Sequence, residues 1–158
     1  MSVVFEGAAR TLLLAHGVLG FTAVFAGTHH AAHAVLSALG RPQVRALRRF
    51  GWIAPASVLL QAALGLALYP VYRVRVRAQD LDLHAPAVAQ LFDFKEHLAA
   101  LSLALILGAA LAGRAVAPDA PRPQRNAVAA LSCTGALFLW IAALIGLYVT
   151  ARHPVGAP

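Results

Sequence analysis

Residues 16–30 read HGVLGFTAVFAGTHH, and this apolar stretch indicates the class of the whole chain. The small residues that separate its end histidines at helical spacing are Gly20, Ala23 and Gly27. An α-helix advances about 1.5 Å and about 100° per residue, so His16 and His30 are about 21 Å apart along the axis and about 40° apart around it. The stretch is therefore predicted to be one helix with an imidazole at each end of a stripe of small residues.

Composition places this helix in a membrane. The 158 residues are 60% hydrophobic and only 12% charged. A chain of this composition has more apolar surface than a soluble domain of this size can bury. A membrane span needs about 20 mostly apolar residues, and the segments that qualify are 12–39, 50–69, 91–115 and 128–150. Short connections between them predict an all-α, up-down-up-down four-helix bundle in the membrane, a single domain over residues 1–158.

The connections carry most of the charge, which amounts to a net +7. They are a basic segment at 41–49, a polar segment at 72–90 and a Pro-rich segment at 118–124. We expect the basic residues to contact lipid headgroups rather than nucleic acid. The membrane face that holds the 41–49 connection carries seven of the 13 Lys and Arg residues, so the positive-inside rule places that connection in the cytoplasm. We expect the membrane to be a bacterial inner membrane.

Two histidines are predicted to meet near one membrane face. His16 and His97 lie near the starts of the first and third spans, which run in the same direction, so they share one level. His84 and His153 belong to the same face. Two imidazoles with room between them for a planar ring suit haem b better than zinc or copper, which need three or four converging ligands. The chain has no Cys-x-x-Cys-His motif, which excludes covalent c-type haem.

Other polar residues share this level. The candidates to pair with haem propionates, or to anchor the chain to anionic lipid, are Arg73, Arg75, Arg77 and Lys95. Asp93 and Glu96 either stabilise the start of the third span or orient an iron-bound His97 through its free ring nitrogen. Gln61, midway along the second span, is predicted to hydrogen-bond across helices.

The opposite level holds His29, His30 and His33, and no other span supplies a histidine there. His30 lies on the stripe and is the best placed to meet a second haem, but the third span has Leu111 at the matching level. We therefore predict one haem per chain, with a second absent or five-coordinate. Two alternatives stay open: His33 forms half of a non-haem metal or proton site with one of the other two, or all three lie at the bilayer edge.

The stripe resembles the haem-bearing helices of membrane b-type cytochromes. The residues that carry the resemblance are His16, Gly20, Ala23, Gly27 and His30, with His97 by position. The resemblance implies electron transfer, with quinones, subunits of a respiratory complex or further copies of the chain as partners. From the residues alone, a histidine-dependent metal or proton translocation protein without haem is the alternative.

Overall fold

The chain folds as four long helices. The computed structural model describes residues 3–41, 43–117 and 119–152. A 3₁₀ turn, Glu6–Ala8, leads into α1, Ala9–Ala38. The others are α2 (Val44–Val71), α3 (Pro86–Ala115) and α4 (Arg122–Arg152). The described residues form no strand, and all four helices are long and apolar enough to cross a membrane. The predicted all-α membrane bundle is confirmed.

The helices occupy the corners of a square. α1 packs against α2 and α4, and α3 packs against the same two helices, so α1 and α3 are diagonal to each other. Gly135 of α4 allows a close approach to α3, because a Cβ at that position would lie 3.0 Å from Ile106 Cγ1 and 3.3 Å from the Ile106 amide nitrogen. The buried residues at this level are Ala23, Val24, Ala26, Ala54, Val58, Ile106 and Leu139. We call them the central apolar layer.

The second helix continues well beyond its predicted end. π-helical turns, Tyr72–Leu81, and a final α-turn, Asp82–His84, follow α2 directly. We call these thirteen residues, 72–84, the α2 extension. Its sequence contains neither glycine nor proline. It is followed by Ala85, whose backbone is not helical (φ −146°, ψ 58°), in keeping with the exclusion of the helical conformation from a residue before proline. The polar connection predicted at 72–90 is therefore helical except at Ala85, which alone links the two helices.

Apolar contacts hold the α2 extension against the bundle. Tyr72, Val76 and Leu81 are buried in a cluster with residues of α3 and α4, among them Leu98 and Val149. The Tyr72 ring also stacks on Phe92, with 3.8 Å between the ring centroids. The extension thus covers the end of the bundle at which His16 lies.

Candidate functional site

His16 lies between α1 and α2 and is bonded to a single residue. Its Nδ1 is 3.0 Å from the backbone carbonyl oxygen of Gln61, and its Nε2 is 3.3 Å from the Gln61 side-chain amide nitrogen. Because a carbonyl only accepts, Nδ1 carries the hydrogen and Nε2 accepts from the amide. Gly65 leaves room for the ring, since a Cβ there would lie 3.2 Å from His16 Cε1. The predicted hydrogen bond of Gln61 across helices is confirmed.

Two charged residues of α3 lie near this imidazole. The Lys95 side chain is only 13% exposed and donates to Glu96 Oε1 over 2.7 Å. Both charges lie within electrostatic reach of His16. The Lys95 stem runs towards α4, because its Cε is 3.7 Å from the position that a Cβ on Gly146 would take. We call His16, Gln61, Lys95 and Glu96 the His16 layer.

His97 points away from this layer. It is exposed on the outer surface of α3, and its Nδ1 lies 2.7 Å from the backbone carbonyl oxygen of Asp93. The Asp93 carboxylate, one of the two candidates to orient His97, accepts two hydrogen bonds from Arg77, at 2.5 and 3.0 Å. No described contact joins His97 to His16, so the structure does not bring together the two residues that the sequence analysis paired.

Two of the three arginines of the α2 extension are paired within the chain. Arg75 Nε donates to Glu6 Oε1 over 2.7 Å, which ties the extension to the start of α1. Arg77 pairs with Asp93, whereas Arg73 is exposed. His84 is also exposed, and His153 lies outside the described residues. The structure therefore gives Arg75 and Arg77 carboxylate partners of their own.

His30 lies at the other level in a nearly sealed environment. It is 2% exposed, and its Nδ1 is 3.2 Å from Ser132 Oγ of α4. The Ser132 hydroxyl donates to the backbone oxygen of Val128 over 2.7 Å, so its oxygen accepts from His30 Nδ1–H. The opposite ring nitrogen faces α2, where a Cβ on Gly51 would lie 3.6 Å from Nε2. We call His30, Ser132 and Gly51 the His30 layer.

The sequence analysis did not single out Ser132 or Gly51. The available signal was a serine inside an apolar span and a glycine near the start of another. Leu111, expected opposite His30, is 55% exposed, and Ala110 faces Gly51 instead. The neighbours of His30 therefore come from α4 and α2.

The other two histidines of the cluster lie against α2. The rings of His29 and His33 are 5.0 and 5.7 Å from the Phe50 ring, centroid to centroid, and 6.2 Å from each other. His33 Nδ1 is buried and has no hydrogen-bond partner within the described residues. Anywhere in the described residues, no three His, Cys, Asp or Glu side chains are grouped so that they could hold a metal ion.

The stripe between the histidines is filled by protein side chains. A Cβ on Gly20 would lie 3.5 Å from Gln61 Nε2, and one on Gly27 would lie 3.4 Å from Leu139 Cδ2. Gln61 also engages both ring nitrogens of His16. The residues present therefore do not fit a haem lying on the stripe of a single chain.

The arrangement places two imidazoles at two levels of one helix, each with Nδ1 as donor and Nε2 as the basic nitrogen. The central apolar layer lies between them, and at this depth Ser102 Oγ is buried with no hydrogen-bond partner among the described residues. Such nitrogens can accept and release protons. Comparisons of the chain with protein families, with curated proteins and with solved structures find no match.

Proposed function

We propose that the protein moves protons through the membrane by way of His16 and His30. The observation that supports this is that each imidazole lies against a neighbouring helix and donates to it from Nδ1, so that Nε2 is the base. Imidazole is the side chain whose ordinary charge change falls nearest neutral pH, and ionisable groups inside spans are typical of proton pathways. The proposal places the chain in an energy-converting membrane, the bacterial inner membrane.

At His16, proton uptake requires a movement of Gln61. A proton on Nε2 turns that nitrogen from an acceptor into a donor, whereas the Gln61 amide nitrogen that faces it is also a donor. The amide therefore rotates and presents its oxygen to the ring. Glu96 is exposed at the same level and forms an ion pair with Lys95. His16 is thus the entry point on the side of the α2 extension.

Between the two histidines, protons need an intermediate carrier. The separation of about 21 Å along α1 is far beyond the hydrogen-bond distance over which a proton passes directly. Ser57 and Ser102 are the buried hydroxyls nearest the middle of the span, and Ser102 Oγ lacks a hydrogen-bond partner among the described residues. Buried waters bind to such unsatisfied polar groups. We infer that water entering beside Ser102 connects the two levels.

Proton flux into liposomes tests the proposal. Vesicles containing the protein and an internal pH dye receive a potassium diffusion potential, and the wild type acidifies the lumen. We expect His16→Ala and His30→Ala each to lower the flux by about tenfold or more. The matched control is His84→Ala, because His84 is exposed on the α2 extension. Wild-type flux in both His16→Ala and His30→Ala would overturn the proposal.

Haem b electron transfer is the second candidate, and one observation favours it. His97 donates from Nδ1 to a carbonyl, which leaves Nε2 with its lone pair outward, the arrangement that metal-binding histidines adopt. Since His97 is on the outer surface of α3, a second ligand would come from another copy of the chain or from a respiratory-complex subunit, and a quinone would be the redox partner.

The visible spectrum of the purified protein tests this candidate. Sharp α and β bands after dithionite reduction that are lost in His97→Ala and kept in His84→Ala would support it. A colourless protein, purified from haem-replete cells, would exclude it.

A further inference from the structure

A cleft of about 320 Å³ lies at the end of the bundle opposite the α2 extension. Its charged lining residues are Arg48 of α2, Arg114 of α3 and Arg125 of α4. No acidic side chain lines the cleft among the residues that the structure describes. None of the three arginines forms an ion pair with another described residue. Three guanidinium groups from three helices therefore surround one space without a balancing negative charge.

The three arginines are held to different degrees. Arg114 donates to the backbone oxygen of Gly51 over 2.9 Å and stacks on Trp52, with 3.6 Å from its Cζ to the ring centroid. Arg125 Nε is buried and has no hydrogen-bond partner among the described residues. Arg48 is exposed. A buried guanidinium N–H that lacks an acceptor is costly. The cleft is thus lined by one hydrogen-bonded and stacked arginine, one arginine with an unsatisfied buried donor and one exposed arginine.

We propose that this cleft binds a phosphate group, carried either by an anionic lipid or by a small soluble phosphate compound. The planar guanidinium presents paired N–H donors that match phosphate oxygens, and an oxygen acceptor would satisfy Arg125 Nε. The other walls include apolar side chains, among them Leu47 and Val128. Basic pockets between membrane helices bind lipid headgroups in this way.

Binding measurements on the full chain in neutral detergent test the proposal. The two probes are phosphatidylglycerol, with phosphatidylcholine for comparison, and inorganic pyrophosphate. We expect the Kd for the bound probe to rise about tenfold in Arg48→Gln and in Arg125→Gln. Arg49→Gln and Arg122→Gln are the matched controls, because they remove the same charge from exposed positions that do not line the cleft, and we expect them to bind like the wild type.

The outcomes separate the two phosphate sources. Binding of phosphatidylglycerol alone supports a lipid headgroup, and binding of pyrophosphate alone supports a soluble compound. If neither probe binds, or if the control variants weaken binding as much as the cleft variants, the proposal is overturned. Arg125→Lys is the second variant should Arg125→Gln not fold. It keeps the charge but loses the paired donors, and wild-type affinity in it and in Arg48→Gln would also overturn the proposal.

Discussion

The two ends of α1 hold their histidines in different ways. His16 is half-buried, both of its ring nitrogens contact Gln61, and the charges of Lys95 and Glu96 lie nearby. His30 is almost completely buried, and its hydrogen-bond partner is the neutral hydroxyl of Ser132. The two residues look equivalent in the sequence, 14 positions apart on one stripe. The neighbouring helices, rather than the 14-residue spacing along α1, make the difference, because they leave His16 half-buried and His30 almost completely buried.

The largest difference between the two levels should appear when each imidazole is removed. We expect His30→Ala to lower the free energy of unfolding by about 2–4 kcal/mol, because it leaves a cavity in a closely packed interior. His16→Ala should cost about half as much, since water and lipid reach the half-buried site. Titration with a denaturing detergent measures both values. Equal losses in the two variants would contradict the contrast in burial.

Ser132→Ala removes only the partner of His30. We expect a loss of about 1–2 kcal/mol, because the His30 Nδ1–H is left buried without an acceptor. The same titration measures it, and Cys133→Ala is the control, since Cys133 is the next residue along α4 and is exposed. A Ser132→Ala variant as stable as Cys133→Ala would show that this hydrogen bond contributes little.

The glycines beside the two rings should respond differently to a methyl group. At Gly65 a Cβ would lie 3.2 Å from His16 Cε1, which forces the ring to move, whereas at Gly51 the nearest approach is 3.6 Å to His30 Nε2, an ordinary contact. Both substitutions gain helix propensity, about 0.5–1 kcal/mol. We therefore expect Gly65→Ala to be less stable than Gly51→Ala by about 1 kcal/mol. Gly108→Ala, with open space around it, gives the propensity effect alone.

The smallest effect should come from the ion pair beside the His16 layer. Arg77 and Asp93 are 30% and 44% exposed, so solvent screens their attraction. We expect Arg77→Gln to lower the free energy of unfolding by less than about 1 kcal/mol. The loss should be smaller at high salt, which screens the attraction further. Unfolding measured at low and high ionic strength checks this, with Arg73→Gln as the exposed control. A cost that does not change with salt would mean that the guanidinium contributes through packing.

The sequence was sufficient to predict the architecture. Four apolar segments of spanning length and the short connections between them indicated the number and direction of the helices, because those properties depend on local composition. The extent of α2 was mispredicted, since the polar residues 72–84 were taken to end the helix, whereas this segment, which contains neither glycine nor proline, continues as helix to His84.

The surroundings of the histidines could be predicted only in part. Gln61 was identified because a polar side chain inside a span needs a partner. Ser132 and the outward direction of His97 were not, because both depend on how each helix is rotated about its own axis. Matching residues by depth gives their level in the bilayer but not the direction in which they point.

The single residue that joins the α2 extension to α3 also bears on how the chain is made. Ala85 is the whole connection, so the end of the α2 extension and the start of α3 are held close together as soon as both have formed. The α1–α2 and α3–α4 pairs, which are neighbours along the chain, are also neighbours in the bundle. Contacts close in sequence form quickly, so each newly synthesised helix finds its docking surface on the helix made just before it. The packing of α4 against α1 joins residues that are distant in the chain, so it can form only after α4 has been made.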